Sequence, residues 1–532
     1  LKTIVLPSTI NFILRNHLPL AAMRLIVTVC FLLALVVGTV SRVTAETRYA
    51  YSFSPVETEK AVGTTIDKII IIGNYTTRAF VLLQEMPFVE GDTLTLAELQ
   101  TAQEQIYNLQ LFNLVLVSAK RFDPQDTAAL AQATALPEQD STFAKLIRAG
   151  VSAADASGRA QTVVLVSVHE RWYLFPQPRF DLRGVSLTEW LRRPTIANVN
   201  FGTIISHQNL SGLSDPLSFS AGVGFDPYIQ VSYYTPYLFG TSRTGFGGSL
   251  TLRDLNNLAY DTRTNTVPRY TQKTFTAAIF FGQRISTFDF LNLTIGYSRI
   301  SVFDDTFAEQ PTATVSSDGR DYFPFMLLNY TYNRVDFNQC PTKGFYLSAT
   351  LLQNGTPFEA NKINVTRAII DLRWYRKLIG ELSIGLRNWS VLTLDSPVPN
   401  HLRSFLGYSR LAVRGYTNTI FEGDNVQLNT AELRYPIIPD QTLTFDFMPF
   451  EQFKVLKWAL YMTAFFDAGT TWYNPRTKLL SERSRRFTLE NVNFGYGAGF
   501  VLVGGYRLAA RVDFAVSDRG KFEIIFDNTV SF

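Results

Sequence analysis

From Trp172 onward the chain is a succession of two-faced segments. The last shows the pattern: Phe522, Ile524, Phe526, Val530 and Phe532 occupy even positions, and Lys521, Glu523, Asp527, Thr529 and Ser531 occupy odd ones. A strand sends alternate side chains to opposite faces. One face of this ribbon suits lipid and the other water, and the segment closes on an aromatic residue. A single such strand would also suit one sheet of a soluble sandwich. The alternation recurs, however, in about sixteen segments of roughly ten residues, from 172–182 to 521–532, parted by Gly, Asn, Asp and Pro. In 506–516, Tyr506, Leu508, Val512, Phe514 and Val516 alternate with Arg507, Arg511 and Asp513. A face with two arginines and an aspartate suits a wet interior and not a dry sandwich core. The fold expected for 172–532 is an antiparallel transmembrane β-barrel of about sixteen strands.

Composition agrees. The 42 Phe and 24 Tyr fit the aromatic girdles that barrels carry at both membrane interfaces. A hydrophobic share of 46% is too low for a bundle of membrane helices. The net charge of +4 is too weak to argue for nucleic acid. Cys30 and Cys340 are the two cysteines, and such a pair says nothing firm about redox compartment.

Met23-Arg24, an apolar run over 25–40 and Val43-Thr44-Ala45 read as a secretory signal peptide starting at Met23 and cleaved after Ala45. Residues 1–45 are therefore set aside. No other segment approaches the ~18 unbroken apolar residues that a membrane helix needs.

After an expected linker at 46–64, residues 65–171 read as an α+β unit. A β-branched run at 66–72 ends at the turn Gly73-Asn74. Residues 77–86 have helical spacing through Phe80, Leu83 and Met86, and Pro87 and Gly91-Asp92 break it. A second helix is expected at 96–109, then strands at 114–120 and 161–170. The order is β-α-α-β-β. Between the last two strands lies 122–160, rich in Ala, Gln, Asp and Ser, read as an enlarged hairpin loop with a short helix at 142–148.

Clean alternation lapses over 394–424, where Val413-Arg414-Gly415-Tyr416 sits. Glu432-Leu433-Arg434-Tyr435-Pro436 and Phe465-Phe466-Asp467-Ala468-Gly469 follow on the next two strands. Asp336 and Cys340-Pro341-Thr342-Lys343-Gly344 stand earlier in the chain, where one alternating segment gives way to the next. Taken in order, these elements resemble the outer-membrane assembly superfamily of BamA- and TamA-like barrels, surface antigens and two-partner secretion transporters. The β-α-α-β-β unit resembles a POTRA domain, and the aromatic C-terminal strand with Phe526, Val530 and Phe532 resembles that family's terminal signal.

The resemblance implies that 394–424 folds back into the lumen and that its Arg pairs with an acid on the wall. Asp467 shares the odd face of its segment with Lys457, Tyr461 and Thr463, and Glu432 shares an even face with Thr430 and Arg434. Both carboxylates should point inward, so Arg414 is expected to reach Asp467, with Glu432 as the second candidate. A guanidinium presents a planar fork that suits a carboxylate, and Gly415 would permit the tight turn. The Gly495-Tyr496-Gly497-Ala498-Gly499 run lacks the strand–loop–helix context of a phosphate cradle. Strand glycines beside a barrel seam or a packed loop fit it better. The four histidines are scattered, and no metal, cofactor or catalytic motif appears.

The resemblance further implies a bacterial outer-membrane location with the POTRA-like domain in the periplasm. It implies work on unfolded or nascent outer-membrane and secreted polypeptides, contact with outer-membrane lipids, and accessory lipoproteins or periplasmic proteins as partners. Nucleic acid is not among them. The alternatives are a passive porin, which needs no POTRA domain, and a two-partner-type exporter, for which residues 46–64 are short and polar where a plug helix would stand. One POTRA-like unit, where the best-known assembly barrel has several, leaves room for an accessory factor.

Overall fold

The computed structural model describes residues 50–136, 141–182, 190, 192–196, 199–240, 242–256, 270–302, 313–356, 363–394, 398–407, 411–417, 419–445, 447–474, 487–504 and 509–527. The expected signal segment, Val530 and Phe532 lie outside them.

The first domain is built on a three-stranded sheet of β1 (Lys68–Ile72), β2 (Phe112–Phe122) and β3 (Gln161–Glu170), in the order β1-β3-β2. β1 runs parallel to β3 and β2 antiparallel to it. Alternation divides the sheet's side chains between two cores. Val164, Val166 and Val168 join Val81, Leu82, Leu99, Ala102 and Ile106 on one face. The helices there are α2 (Ala79–Leu83) and α3 (Leu96–Asn108), the second started by Thr95, whose hydroxyl accepts from Glu98 N. Val163 and Leu165 join Phe122, Phe143, Ile147, Val151 and Ala154 on the other face.

That second core departs from the sequence reading. Residues 122–160 are no loop with a short helix: they hold two helices, α4 (Thr127–Ala135) and α5 (Ser141–Ser157). Phe143, Ile147 and Val151 recur at helical spacing and bury one stripe of α5 against the sheet. Part of the expected linker is also helical. This helix, α1 (Pro55–Ala61), begins with a capping box between Ser54 and Glu57, with Pro at the first turn. It lies on β2, where Lys120 Nζ meets Glu57 at 2.6 Å.

The second domain is one antiparallel sheet of sixteen strands. Its first eleven are β4 (Leu174–Leu182), β5 (Val199–His207), β6 (Leu217–Gly224), β7 (Tyr228–Thr235), β8 (Thr244–Asn256), β9 (Thr271–Arg284), β10 (Asp289–Val302), β11 (Arg320–Val335), β12 (Gly344–Gly355), β13 (Asn364–Ile379) and β14 (Leu382–Leu394). A small hairpin, β15 (Ser404–Leu406) with β16 (Phe421–Gly423), interrupts the series. The sheet resumes with β17 (Asn425–Thr444), β18 (Val455–Trp472), β19 (Asn493–Gly504), β20 (Ala509–Ser517) and β21 (Phe522–Asp527). Each strand pairs with its sequence neighbours, β14 meeting β17 across the hairpin. β4 and β21 are the ends of this barrel-like sheet, and no ladder joins them among the described residues.

Its two faces invert the pattern of a soluble protein. Along β18, Tyr461, Thr463, Phe465 and Asp467 are buried inside, while Met462 and Phe466 are exposed outside. Leu250, Leu252, Ile279, Ile295, Met326, Leu351 and Phe500 are also exposed large apolar residues. Asn200, Thr430, Glu432, Arg434, Arg511 and Glu523 are buried polar ones. An apolar outside and a polar inside suit a wall that faces lipid. No described helix is long and apolar enough to cross a membrane.

The first domain sits on one rim of the sheet, against the turns. Arg78 N donates to Gly212 O at 2.9 Å in the β5–β6 turn. Glu85 holds Arg284 in a two-pronged pair at 2.6 Å, both buried, at the end of β9. Asn108 bridges Asp336 O and Asn338 N in the β11–β12 turn, and Lys343 meets Glu104 at 2.8 Å. Asn113 Nδ2 donates to Gln452 O between β17 and β18.

Candidate functional site

The described residues of 398–424 follow β14 on the rim opposite the first domain and turn into the interior. Leu406, Val413, Tyr416 and Phe421 pack there with Val391, Val426 and Leu428 of β14 and β17. This apolar knot fixes the loop before any charge is considered. Gly415 takes φ +97, a region costly for other residues, and its Cα lies so close to β20 that a Cβ would stand 2.8 Å from Ser517 N. Beneath the turn, a Cβ on Gly495 of β19 would overlap the carbonyl oxygen of Arg414.

The turn aims Arg414 at the wall. Nε and Nη2 each donate at 2.7 Å to the two oxygens of Asp467 on β18. The backbone N of Arg414 reaches the same carboxylate at 3.1 Å. Nη1 meets Glu432 of β17 at 3.0 Å and Asp513 of β20 at 3.4 Å. The guanidinium lies over the ring of Phe465, 3.5 Å from its centroid, a favourable place for a cation.

The carboxylates have further partners. Arg434 Nε donates to Glu432 at 2.9 Å and its Nη1 to Pro341 O at 2.7 Å in the β11–β12 turn. Arg511 pairs with both Glu432 and Asp513. Three arginines therefore face three carboxylates. Glu432, Arg434, Asp467 and Asp513 are each no more than 2% exposed. Buried charge is tolerable only when paired and hydrogen-bonded, and here the charges balance.

The loop is also tied to the last two strands. Tyr416 Oη donates to Asp518 just beyond β20. Thr417 donates to Glu523 of β21 through its backbone N at 3.1 Å and its hydroxyl at 2.8 Å. At its base, Arg403 pairs with Glu422, which also accepts from Tyr473 Oη at 3.0 Å.

Val413, Arg414, Gly415 and Tyr416 thus stand together inside the sheet, with Asp467 and Glu432 in reach of Arg414. Phe526 is on the last strand's outer face, away from them and exposed. Sequence reasoning did not connect Asp513, Arg511 and Arg434 to the loop. Alternation marked their faces as polar, but only strand register could place them around one guanidinium. Phe465 lay in a quoted motif, with no signal that its ring would carry Arg414.

The model of the Omp85 superfamily domain matches residues 209–523, more than half the chain. The POTRA model, the surface antigen variable number repeat, matches residues 64–130. Similar solved structures include BamA from Haemophilus ducreyi lacking POTRA domains 1–3, at 16% identity, covering 87% of this chain and 83% of that one with a TM-score of 0.45. CdiB from Escherichia coli is 12% identical, covering 87% and 75% with a TM-score of 0.49. CdiB from Acinetobacter baumannii is 14% identical, covering 88% and 73% with a TM-score of 0.46. No curated protein sequence matches the chain.

Proposed function

This chain belongs to the Omp85 superfamily, and on that premise we propose that it handles other polypeptides at the bacterial outer membrane, inserting β-barrel clients or passing polypeptides across. The first domain would stand in the periplasm, where unfolded chains arrive, with accessory lipoproteins or periplasmic proteins as further partners. The observation that carries this reading is the loop anchored by Arg414 on β17, β18 and β20 and by Thr417 on β21. A passive pore has no use for a buried charge cluster that ties an inner loop to the strands at one end of the sheet. A polypeptide-handling barrel does, because the anchored loop sets the shape of the last strands, where a client strand would be handled. POTRA-like sheets offer a further edge, to which an extended client segment could add by backbone hydrogen bonds. The reading gives the cluster no bond-breaking role.

The test is the full chain reconstituted in lipid vesicles and supplied with an unfolded outer-membrane barrel protein. The intact chain should speed client folding, and Arg414→Ala should remain inserted and lose most of that acceleration. An Arg414→Ala chain as active as the wild type would remove the cluster from the function. A channel whose conductance ignores Arg414 and which has no effect on clients would favour the porin. Release of a secreted passenger without any effect on barrel folding would favour the exporter.

A further inference from the structure

β17 and β18 are the longest strands of the sheet, and their excess lies on the rim that carries the first domain. β17 leaves β14 at Arg434, opposite Ser383, yet its ladder with β18 runs on to Thr444 opposite Val455. Register irregularities between Pro436 and Gln441 bend this projecting tab, as bulges do. Its tip is closed by Phe445 N donating to Lys454 O at 2.8 Å and Phe453 N to Phe450 O at 3.1 Å.

The tip is aromatic, and its position is unusual for a turn. Phe450 and Phe453 stand 5.8 and 6.0 Å from the ring of Trp172, which lies just before β4. β18 is the fourth strand from one end of the sheet and β4 is the other end. The contact therefore joins a turn near one end of the sheet to the segment that leads into the strand at the other end. Trp172 also continues the outer face of β4, where Leu174 and Phe180 are exposed. The tip thus meets the chain where it enters a strand whose exposed face is apolar. Phe447 is 77% exposed, Phe450 53% and Trp172 38%. Leaving such rings in water forgoes about 1.5–3 kcal/mol for each that could be fully buried.

We propose that this tip is a lipid-contacting foot. Phe447, Phe450 and Trp172 seat in the headgroup–acyl boundary of the leaflet nearest the first domain. Barrels carry girdles of aromatic residues at that depth, and the indole of Trp172, apolar with a polar N–H, suits it. Asn113, donating to Gln452 O at 2.6 Å, holds the inner side of the tip to the first domain, so the foot fixes that domain's height against the membrane. The proposal rests on the reading of the sheet as membrane-spanning.

The experiment uses the full chain in phosphatidylcholine–phosphatidylglycerol vesicles, with Cys30 and Cys340 replaced by serine. One environment-sensitive fluorophore is attached at Phe447→Cys, at Phe466→Cys on the outer wall, or at Glu59→Cys on the first domain. A label at 447 should lose most of its emission to lipids spin-labelled near the headgroup and resist aqueous iodide. A label at 466 should respond to lipids spin-labelled deep in the chain, and one at 59 to iodide alone. A 447 label that behaves like 59, or that is shielded from both quenchers by protein, overturns the foot while 466 still reports a spanning sheet. A 466 label untouched by lipid overturns the spanning reading itself.

Discussion

Arg414 shows how far a side chain's role depends on the backbone beneath it. Its fork meets Asp467 at two matched distances of 2.7 Å because the loop backbone can lie directly on β19, and that approach requires Gly495 to lack a side chain. Gly495→Ala retains every charge of the cluster. Its methyl must nevertheless lift the Arg414 carbonyl, at a cost of about 1–3 kcal/mol typical of overpacking. The expected result is faster amide exchange over 411–417 and a lower temperature for loss of the compact gel form, with insertion retained. Unchanged exchange in that segment would mean that the loop does not rest on β19.

At the scale of elements, the strand alternation was readable and the helices of the insertion were not. The sixteen strands follow from period-two patterning, which repeats without relying on distant contacts. Over 122–160 the abundance of alanine blurs the apolar stripe, and α5 takes its place because Val163, Leu165, Ile70 and Ile72 offer a face to cover. Ile147, fully buried at its centre, tests that account. Ile147→Ala should destabilise the packing by about 2–5 kcal/mol. Limited proteolysis should then cut first within 123–160, while β4 to β21 stay protected. Protease resistance equal to wild type would show that α5 is not held by this core.

For the whole molecule, the question is how one domain meets the rim of the other. The Glu85–Arg284 pair is buried and two-pronged, and Tyr237 Oη adds a third contact to Arg284 at 3.2 Å. Breaking such a pair from one side leaves a buried charge and costs about 3–5 kcal/mol. Glu85→Gln keeps the size of the side chain and should loosen the first domain from the rim. That would be read as faster exchange in α2 and in residues 285–288 with no change in β12 to β14. Coupling can be confirmed with Arg284→Met, since the double variant should lose less than the two single losses added together. Additive losses would mean that the pair does not hold the domains together.

Taken by itself, the sequence determined the class of fold and which face of each strand is wet, because a two-residue period is written locally and needs no partner to be read. It also marked Arg414 as a loop residue and Asp467 and Glu432 as inward carboxylates, partly through the motifs' resemblance to a known family. Tertiary structure alone decided that Arg511, Arg434 and Asp513 complete a neutral six-charge cluster. It also decided that Thr417 ties the loop to Glu523, and that the β17–β18 tip reaches Trp172 across the sheet's two ends. These contacts depend on register and on the curvature of the sheet. Both are set by the sum of many strand pairings, and no short stretch of sequence carries that sum.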